Sequence, residues 1–154
     1  MDITTQKWAS RMLRLAKEVA SWSKDQSTKV GSVITTADGR PVSWGFNGMP
    51  MGIDDTVPER NERPTKYKWF CHAERNAIDL APGSVKDCIL FVTYSPCPLC
   101  AQAIIQNEMK KVMVDTNFSA DKMPQHWIDD MQLARSMLNE AGIDVVEIDP
   151  DKID

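Results

Sequence analysis

Histidine is scarce in this sequence: His72 and His126 are the only two in 154 residues, which excludes a metal centre built on three imidazoles. Cysteine is nearly as rare. Cys71, Cys88, Cys97 and Cys100 are too few for a disulfide framework in a chain of this length. No apolar run approaches the span of a membrane helix, and residues 1–6 lead into a charged amphipathic stretch rather than a secretory leader. A cytoplasmic protein with no membrane partner is therefore expected. An excess of basic charge is also missing. The 18 Lys and Arg against 22 Asp and Glu give a net charge of −4, which argues against a broad nucleic-acid surface. Internal repeats and low-complexity tracts are absent, and 42% apolar residues suffice for one core, so residues 1–154 read as a single domain.

Against this background two short segments concentrate metal-binding chemistry, His72-Ala73-Glu74 and Pro96-Cys97-Pro98-Leu99-Cys100. One imidazole and two thiolates fill three positions around zinc and leave the fourth open for water, as a catalytic site requires. Two thiolates offset the formal charge of the ion, and such a site still brings the pKa of water toward neutrality. Cys97 and Cys100 are three apart and so share one face of a helix. Pro98 suits its first turn, and Leu99, Ala101, Ala103, Ile104 and Ile105 continue it. A helix N-terminus also favours thiolates. His72 opens a second run of helix formers that reaches Leu80 before Pro82-Gly83. Glu74 is badly placed to share the ion with His72 and well placed to carry a proton. The competing readings are a redox CxxC pair, or a structural zinc completed by Cys71, Cys88 or His126. Cys71 and Cys88 read equally well as small buried apolar residues, and His126 as a structural histidine.

The surrounding pattern supplies a scaffold. Trp8, Met12, Leu15 and Val19 recur at helical spacing and predict an N-terminal helix with that stripe in the core. Residues 30–36 and 42–46 predict a hairpin around Ala37-Asp38-Gly39. Residues 47–70, rich in Pro, Gly and charge, have no periodicity and read as a long functional loop. Strands are expected at 88–93, 111–114 and 143–148. A helix over 125–141 carries Trp127, Met131, Ala134 and Leu138 on one side, with Gly142 as its C-cap. This order predicts an α/β fold: a central sheet of about five strands with helices on both faces. The metal belongs where helix starts meet strand ends.

The order H-x-E then P-C-x-x-C resembles the zinc deaminase signature. Three further segments extend the likeness: Ser23-Lys24-Asp25 with Val30-Gly31; Gly45-Phe46-Asn47-Gly48-Met49-Pro50 with Gly52; and Cys71-His72-Ala73-Glu74-Arg75-Asn76-Ala77-Ile78. Over residues 8–148 the chain resembles the deoxycytidylate (dCMP) deaminases of the cytidine deaminase superfamily. The resemblance implies a three-layer α/β/α cytidine deaminase-like fold with a mixed sheet. It also implies zinc-dependent hydrolytic deamination of dCMP to dUMP, with release of ammonia and supply of dUMP for thymidylate synthesis. His72, Cys97 and Cys100 would then hold one catalytic Zn2+ per subunit, with Glu74 as proton carrier. Asn47 would hold the deoxyribose, an amide being able both to donate to and to accept from a hydroxyl. Lys24 and Asn76 would lie near the 5′-phosphate, with Arg75 as a further candidate, and the backbone around Ala73 and Ser95 would read the pyrimidine edge.

The sequence also departs from the family pattern. Between Asn47 and Phe70 it has no Cys or His, and Ile53 stands where some relatives have Cys, so no second, structural zinc is expected. Ser95 precedes Pro96 where an aromatic residue is frequent, which alters the pocket wall. Relatives are often homo-oligomers, commonly hexamers, activated by dCTP and inhibited by dTTP, with magnesium accompanying the nucleotide. On that likeness residues 45–55 form a candidate regulatory segment in which Asp54 and Asp55 would reach Mg2+. Two other classes stay open: a tRNA adenosine deaminase-like enzyme acting on a nucleic-acid base, and a non-catalytic zinc-stabilised regulatory protein. The acidic balance and the Ser23-Lys24-Asp25 segment oppose the first, and retention of Glu74 opposes the second.

Overall fold

A computed structural model of the chain describes residues 5–117 and 123–152. The amphipathic N-terminal stretch forms α1 (Gln6–Ala20), but its core face differs from the expected stripe. The buried residues are Ala9, Ser10, Leu13, Ala16, Val19 and Ala20; of the expected stripe Val19 is buried, Trp8 and Met12 are half-buried against the core, and Leu15 is exposed. Backbone proximity explains the correction. α1 lies directly on β1 (Gly31–Thr35), where a Cβ on Gly31 would collide with the Ala16 carbonyl and the Ala20 nitrogen. Small residues therefore meet β1 at the closest approach, Leu13 and Val19 fill the core beside them, and Trp8, Met12 and Leu15 lie towards the flanks.

β1 pairs antiparallel with β2 (Pro41–Phe46), the hairpin expected from the Ala37-Asp38-Gly39 turn. It also pairs antiparallel with β3 (Ile89–Val92), which runs parallel to β4 (Lys111–Asp115), itself parallel to β5 (Asp144–Ile148). The result is a mixed five-stranded sheet of order β2-β1-β3-β4-β5. Strand alternation divides the core between its two faces. Val33, Ile89, Phe91 and Met113 pack under α1. Ile34, Leu90, Val92, Val112 and Val114 face the other way, where Ala77, Ala101, Ile104, Ala134 and Leu138 cover them. Those covering residues come from α3 (Ala73–Asp79), α4 (Pro98–Gln106) and α5 (Gln125–Glu140). Each of the larger buried side chains contributes roughly 1.5–3 kcal/mol of burial energy.

The segment read as an irregular loop has internal order. It contains a 3-10 turn (Pro58–Asn61) and a short helix, α2 (Lys66–Trp69). Its ends are tied together: the Gly48 N–H donates to the Cys71 carbonyl at 3.1 Å and the Cys71 N–H to the Gly48 carbonyl at 2.7 Å. The Arg60 guanidinium lies 4.3 Å over the Trp69 ring, and the Asn61 amide bonds the carbonyls of Asp55 and Val57. Among the described residues no helix is long and apolar enough to cross a membrane.

Candidate active site

α3 is seated by the strands beneath it. On β2 a Cβ at Gly45 would meet the Ala73 carbonyl and the Ala77 nitrogen, so only glycine lets the helix approach this closely. The Ser32 hydroxyl donates to the Ala73 carbonyl at 2.8 Å, and the Ser43 hydroxyl donates to the Ala77 carbonyl. His72 is the N-cap residue of α3, and Cys97 is the N-cap of α4 with Pro98 in its first turn, so both metal-type side chains stand where a helix begins.

The two helix starts bring three ligand atoms together. His72 Nδ1 lies 3.3 Å from Cys97 Sγ and 3.4 Å from Cys100 Sγ, and all three atoms are within 4.8 Å of one another. Tetrahedral zinc, with bonds of about 2.0 Å to nitrogen and about 2.3 Å to sulfur, separates N from S by about 3.6 Å. The donor set and its spacing therefore fit one zinc ion with a fourth position left over, and no other His, Cys, Asp or Glu joins this group among the described residues.

Their protonation follows from contact. A hydrogen bond with Cys100 and another with His72 hold the Cys97 thiol down at about 4 against the cost of burial. The bond to Cys97 raises His72 to about 9 despite burial. Cys100 is pushed up by its bond to Cys97 and by burial. Glu74, 4% exposed, is raised above the usual carboxylate range by burial, although His72 opposes the shift. A carboxyl shifted in that direction holds a proton more readily than an exposed one, as a proton carrier must.

A cavity of about 430 Å³ opens beside this group, lined by His72, Ala73, Glu74, Ser95 and Cys97. Of the expected site residues, Asn47, Ala73 and Ser95 lie on it; Lys24, Asn76 and Arg75 do not. Lys24 is an exposed residue paired with Asp55 at 2.9 Å, Asn76 donates to the Phe46 carbonyl at 2.8 Å, and Arg75 pairs with Asp79. Asn47 is committed differently from the two-way amide expected. Its Nδ2 donates to Asp25 Oδ2 at 3.2 Å and to the Thr28 carbonyl at 2.9 Å, and its Oδ1 accepts the Val30 N–H at 2.8 Å. With both amide hydrogens used, it can accept from a substrate hydroxyl but cannot donate to one.

Sequence reasoning missed much of the wall. Asp25, Arg63, Lys66, Tyr67 and Phe70 supply one part, and Tyr94 with His126, Trp127, Asp130 and Met131 of α5 another. His126 is exposed on this cavity and Cys71 is half-buried on it, whereas both read as structural side chains; Cys88 is buried as expected. The buried pair of Lys66 and Asp25, 2.9 Å apart, joins residues 41 positions distant in sequence, and only the presence of a lysine and an aspartate signalled it.

The model of the cytidine and deoxycytidylate deaminase zinc-binding region matches residues 6–116. An uncharacterized deaminase from the luxG 3′ region of Aliivibrio fischeri is 42% identical over 139 residues, covering 90% of this chain and 92% of that one. Human deoxycytidylate deaminase is 38% identical over 142 residues, covering 88% of this chain and 76% of the human protein. In fold, the dCMP deaminase of cyanophage S-TIM5, solved in complex with dCMP and dUMP, superposes with a TM-score of 0.73 at 22% identity, covering 94% of this chain and 99% of that one. With that family model covering residues 6–116 and human deoxycytidylate deaminase 38% identical over 142 residues, the chain belongs to the cytidine and deoxycytidylate deaminase family.

Proposed function

We propose that this chain catalyses hydrolytic deamination of dCMP to dUMP with release of ammonia. The observation that carries the reading is the Glu74 carboxyl, which is buried, raised in pKa and set on the cavity beside His72, Cys97 and Cys100 without being one of the three grouped ligand atoms. The 38% identity to human deoxycytidylate deaminase supports the choice of substrate. His72, Cys97 and Cys100 would hold one zinc ion per subunit, which when bound would supply the Lewis acidity that brings the pKa of water toward neutrality. Glu74 takes the proton of the water that adds to C4 of the cytosine and delivers it to N3. It then carries the second hydroxyl proton to the departing amino nitrogen, which leaves as ammonia. Asn47, Ala73 and Ser95 all line the cavity, which supports assigning Asn47 as acceptor for a deoxyribose hydroxyl and the backbone at Ala73 and Ser95 as reader of the pyrimidine edge.

Regulation by dCTP with Mg2+ and by dTTP belongs to the same proposal, supported by the likeness of residues 45–55 to the family's regulatory segment, and assembly into a homo-oligomer, a cytoplasmic location and supply of dUMP for thymidylate synthesis belong to it on the family resemblance alone. The carboxylates offered to Mg2+ there are each engaged through one oxygen, Asp54 Oδ1 with Thr56 and Asp55 Oδ2 with Lys24, which leaves the other oxygen of each for a cation. The test is ammonia release by zinc-loaded protein offered dCMP, deoxycytidine, CMP and an adenosine-bearing RNA stem-loop, each with and without dCTP and magnesium. Preferential turnover of dCMP is expected. Turnover of the RNA alone overturns the substrate assignment.

A further inference from the structure

A nucleoside monophosphate brings a phosphate dianion into the cavity, and the cavity must supply a cation for it. Two of the described lining residues are lysine or arginine, Lys66 and Arg63. Lys66 already has its charge paired. Its ammonium is buried, 2.9 Å from Asp25 Oδ1 and 3.1 Å from Ser27 Oγ, and Asp25 needs it. Lys24, the cation expected from the sequence, is off the cavity and paired with Asp55.

Arg63 differs on every count. It is exposed on the cavity and forms no ion pair with a carboxylate among the described residues. Its Nη2 donates to Ser27 Oγ at 3.3 Å, and its guanidinium stands 6.0 Å from the centre of the Tyr67 ring. The Ser27 hydroxyl donates to Asp25 and accepts from both Lys66 and Arg63, so its capacity is full. One guanidinium nitrogen is thereby pinned while the remaining donors of a planar fork are left for a ligand. The other acidic lining groups are Asp25, neutralised by Lys66, Glu74, whose carboxyl is raised in pKa, and Asp130, exposed on α5.

We infer that Arg63 is the side chain that grips the substrate's 5′-phosphate and thereby sets the preference for a nucleotide over a nucleoside. The Ser27–Lys66–Asp25 cluster positions it and screens Asp25 from the dianion. This inference rests on the dCMP reading above and adds to it the residue that selects the phosphate.

The experiment compares kcat/KM for dCMP and for deoxycytidine in the parent, in Arg63→Gln and in Arg63→Lys, all zinc-loaded. The ratio of dCMP to deoxycytidine is expected to fall roughly 10- to 100-fold in Arg63→Gln, the worth of a lost charge-assisted contact. Arg63→Lys should recover part of the loss, because it keeps the charge without the fork. Deoxycytidine lacks the phosphate, so its turnover monitors the folded active site in each variant. A ratio in Arg63→Gln within about twofold of the parent overturns the inference. If the parent turns over dCMP while that ratio is unchanged, only the role of Arg63 fails. A parent that does not act on dCMP overturns the substrate reading and this inference with it.

Discussion

Replacing Lys66 with methionine tests the most consequential contact that the sequence did not announce. The ammonium lies 2.9 Å from Asp25 Oδ1, and the two side chains are 11% and 5% exposed. At that separation, with an effective dielectric constant near 20, the gross attraction is about 6 kcal/mol, most of it offset by the cost of drying both ions. Loss of one partner leaves the other charge buried and typically costs about 3–5 kcal/mol. Asp25 would keep the N–H groups of Ser27 and Thr28, at 2.8 and 3.1 Å, so the lower end, about 3 kcal/mol, is expected. Adding Asp25→Asn removes the second charge and should restore more than half of that loss. The pH dependence follows in sign. Burial pushes the Asp25 carboxyl up, but the bonds from Lys66, Ser27 and Thr28 outweigh it and hold the group below its ordinary 3.8. Its contribution is complete above the unfolded value and is lost as pH falls through the lower folded one, so the gap between parent and Lys66→Met should close below about pH 4. Urea denaturation of the zinc-loaded proteins at several pH values reads all three quantities. A loss under about 1 kcal/mol for Lys66→Met, or a double variant weaker than both single variants, would refute the reasoning.

Gly45→Ala forces a Cβ against the Ala73 carbonyl and Ala77 nitrogen of α3, so a loss of roughly 1–3 kcal/mol is expected, together with a lower kcat as Glu74 shifts. Unchanged urea midpoint and kcat would contradict that packing. Zinc uptake near pH 7 should release about two protons, one from the His72 imidazolium and one from the Cys100 thiol, while Cys97 is already a thiolate. Calorimetry in buffers of different ionisation enthalpy counts them, and a release near zero would show that the metal-free protonation pattern is otherwise.

Legibility in the sequence followed the range of the interactions. The helices ending in Ala20 and Glu140 and all five strands are local periodicities; the helix ending in Ala20 forms where its stripe stands, and the other helix and the strands appear within a residue or two of their expected bounds. The zinc group was legible because its residue types have so few other uses at that spacing. The core face of α1 was only partly legible: Val19 is buried and Trp8 and Met12 pack against the core as expected, but Leu15 is exposed and Ala9 and Ala16 were passed over, because hydropathy ranks them low whereas the absent Cβ of Gly31 favours small residues against the strand. The cavity wall formed by Arg63, Lys66 and Tyr67 was illegible for a different reason. It belongs to a segment without periodicity whose placement depends on the Gly48–Cys71 pairing and on Asp25, far away in the chain. The wall from His126 and Trp127 likewise exists only once α5 has packed against α4 and the sheet.

The central claim is that Glu74 moves the protons while His72, Cys97 and Cys100 hold the metal. The most direct test is Glu74→Gln, nearly the same in shape, with bound zinc quantified and ammonia release from dCMP measured in parallel with the parent. The account predicts full zinc content, an unchanged urea midpoint to within about 1 kcal/mol, and turnover reduced by roughly 100-fold or more. A variant that binds zinc normally and still deaminates dCMP at near-parent rates would contradict it.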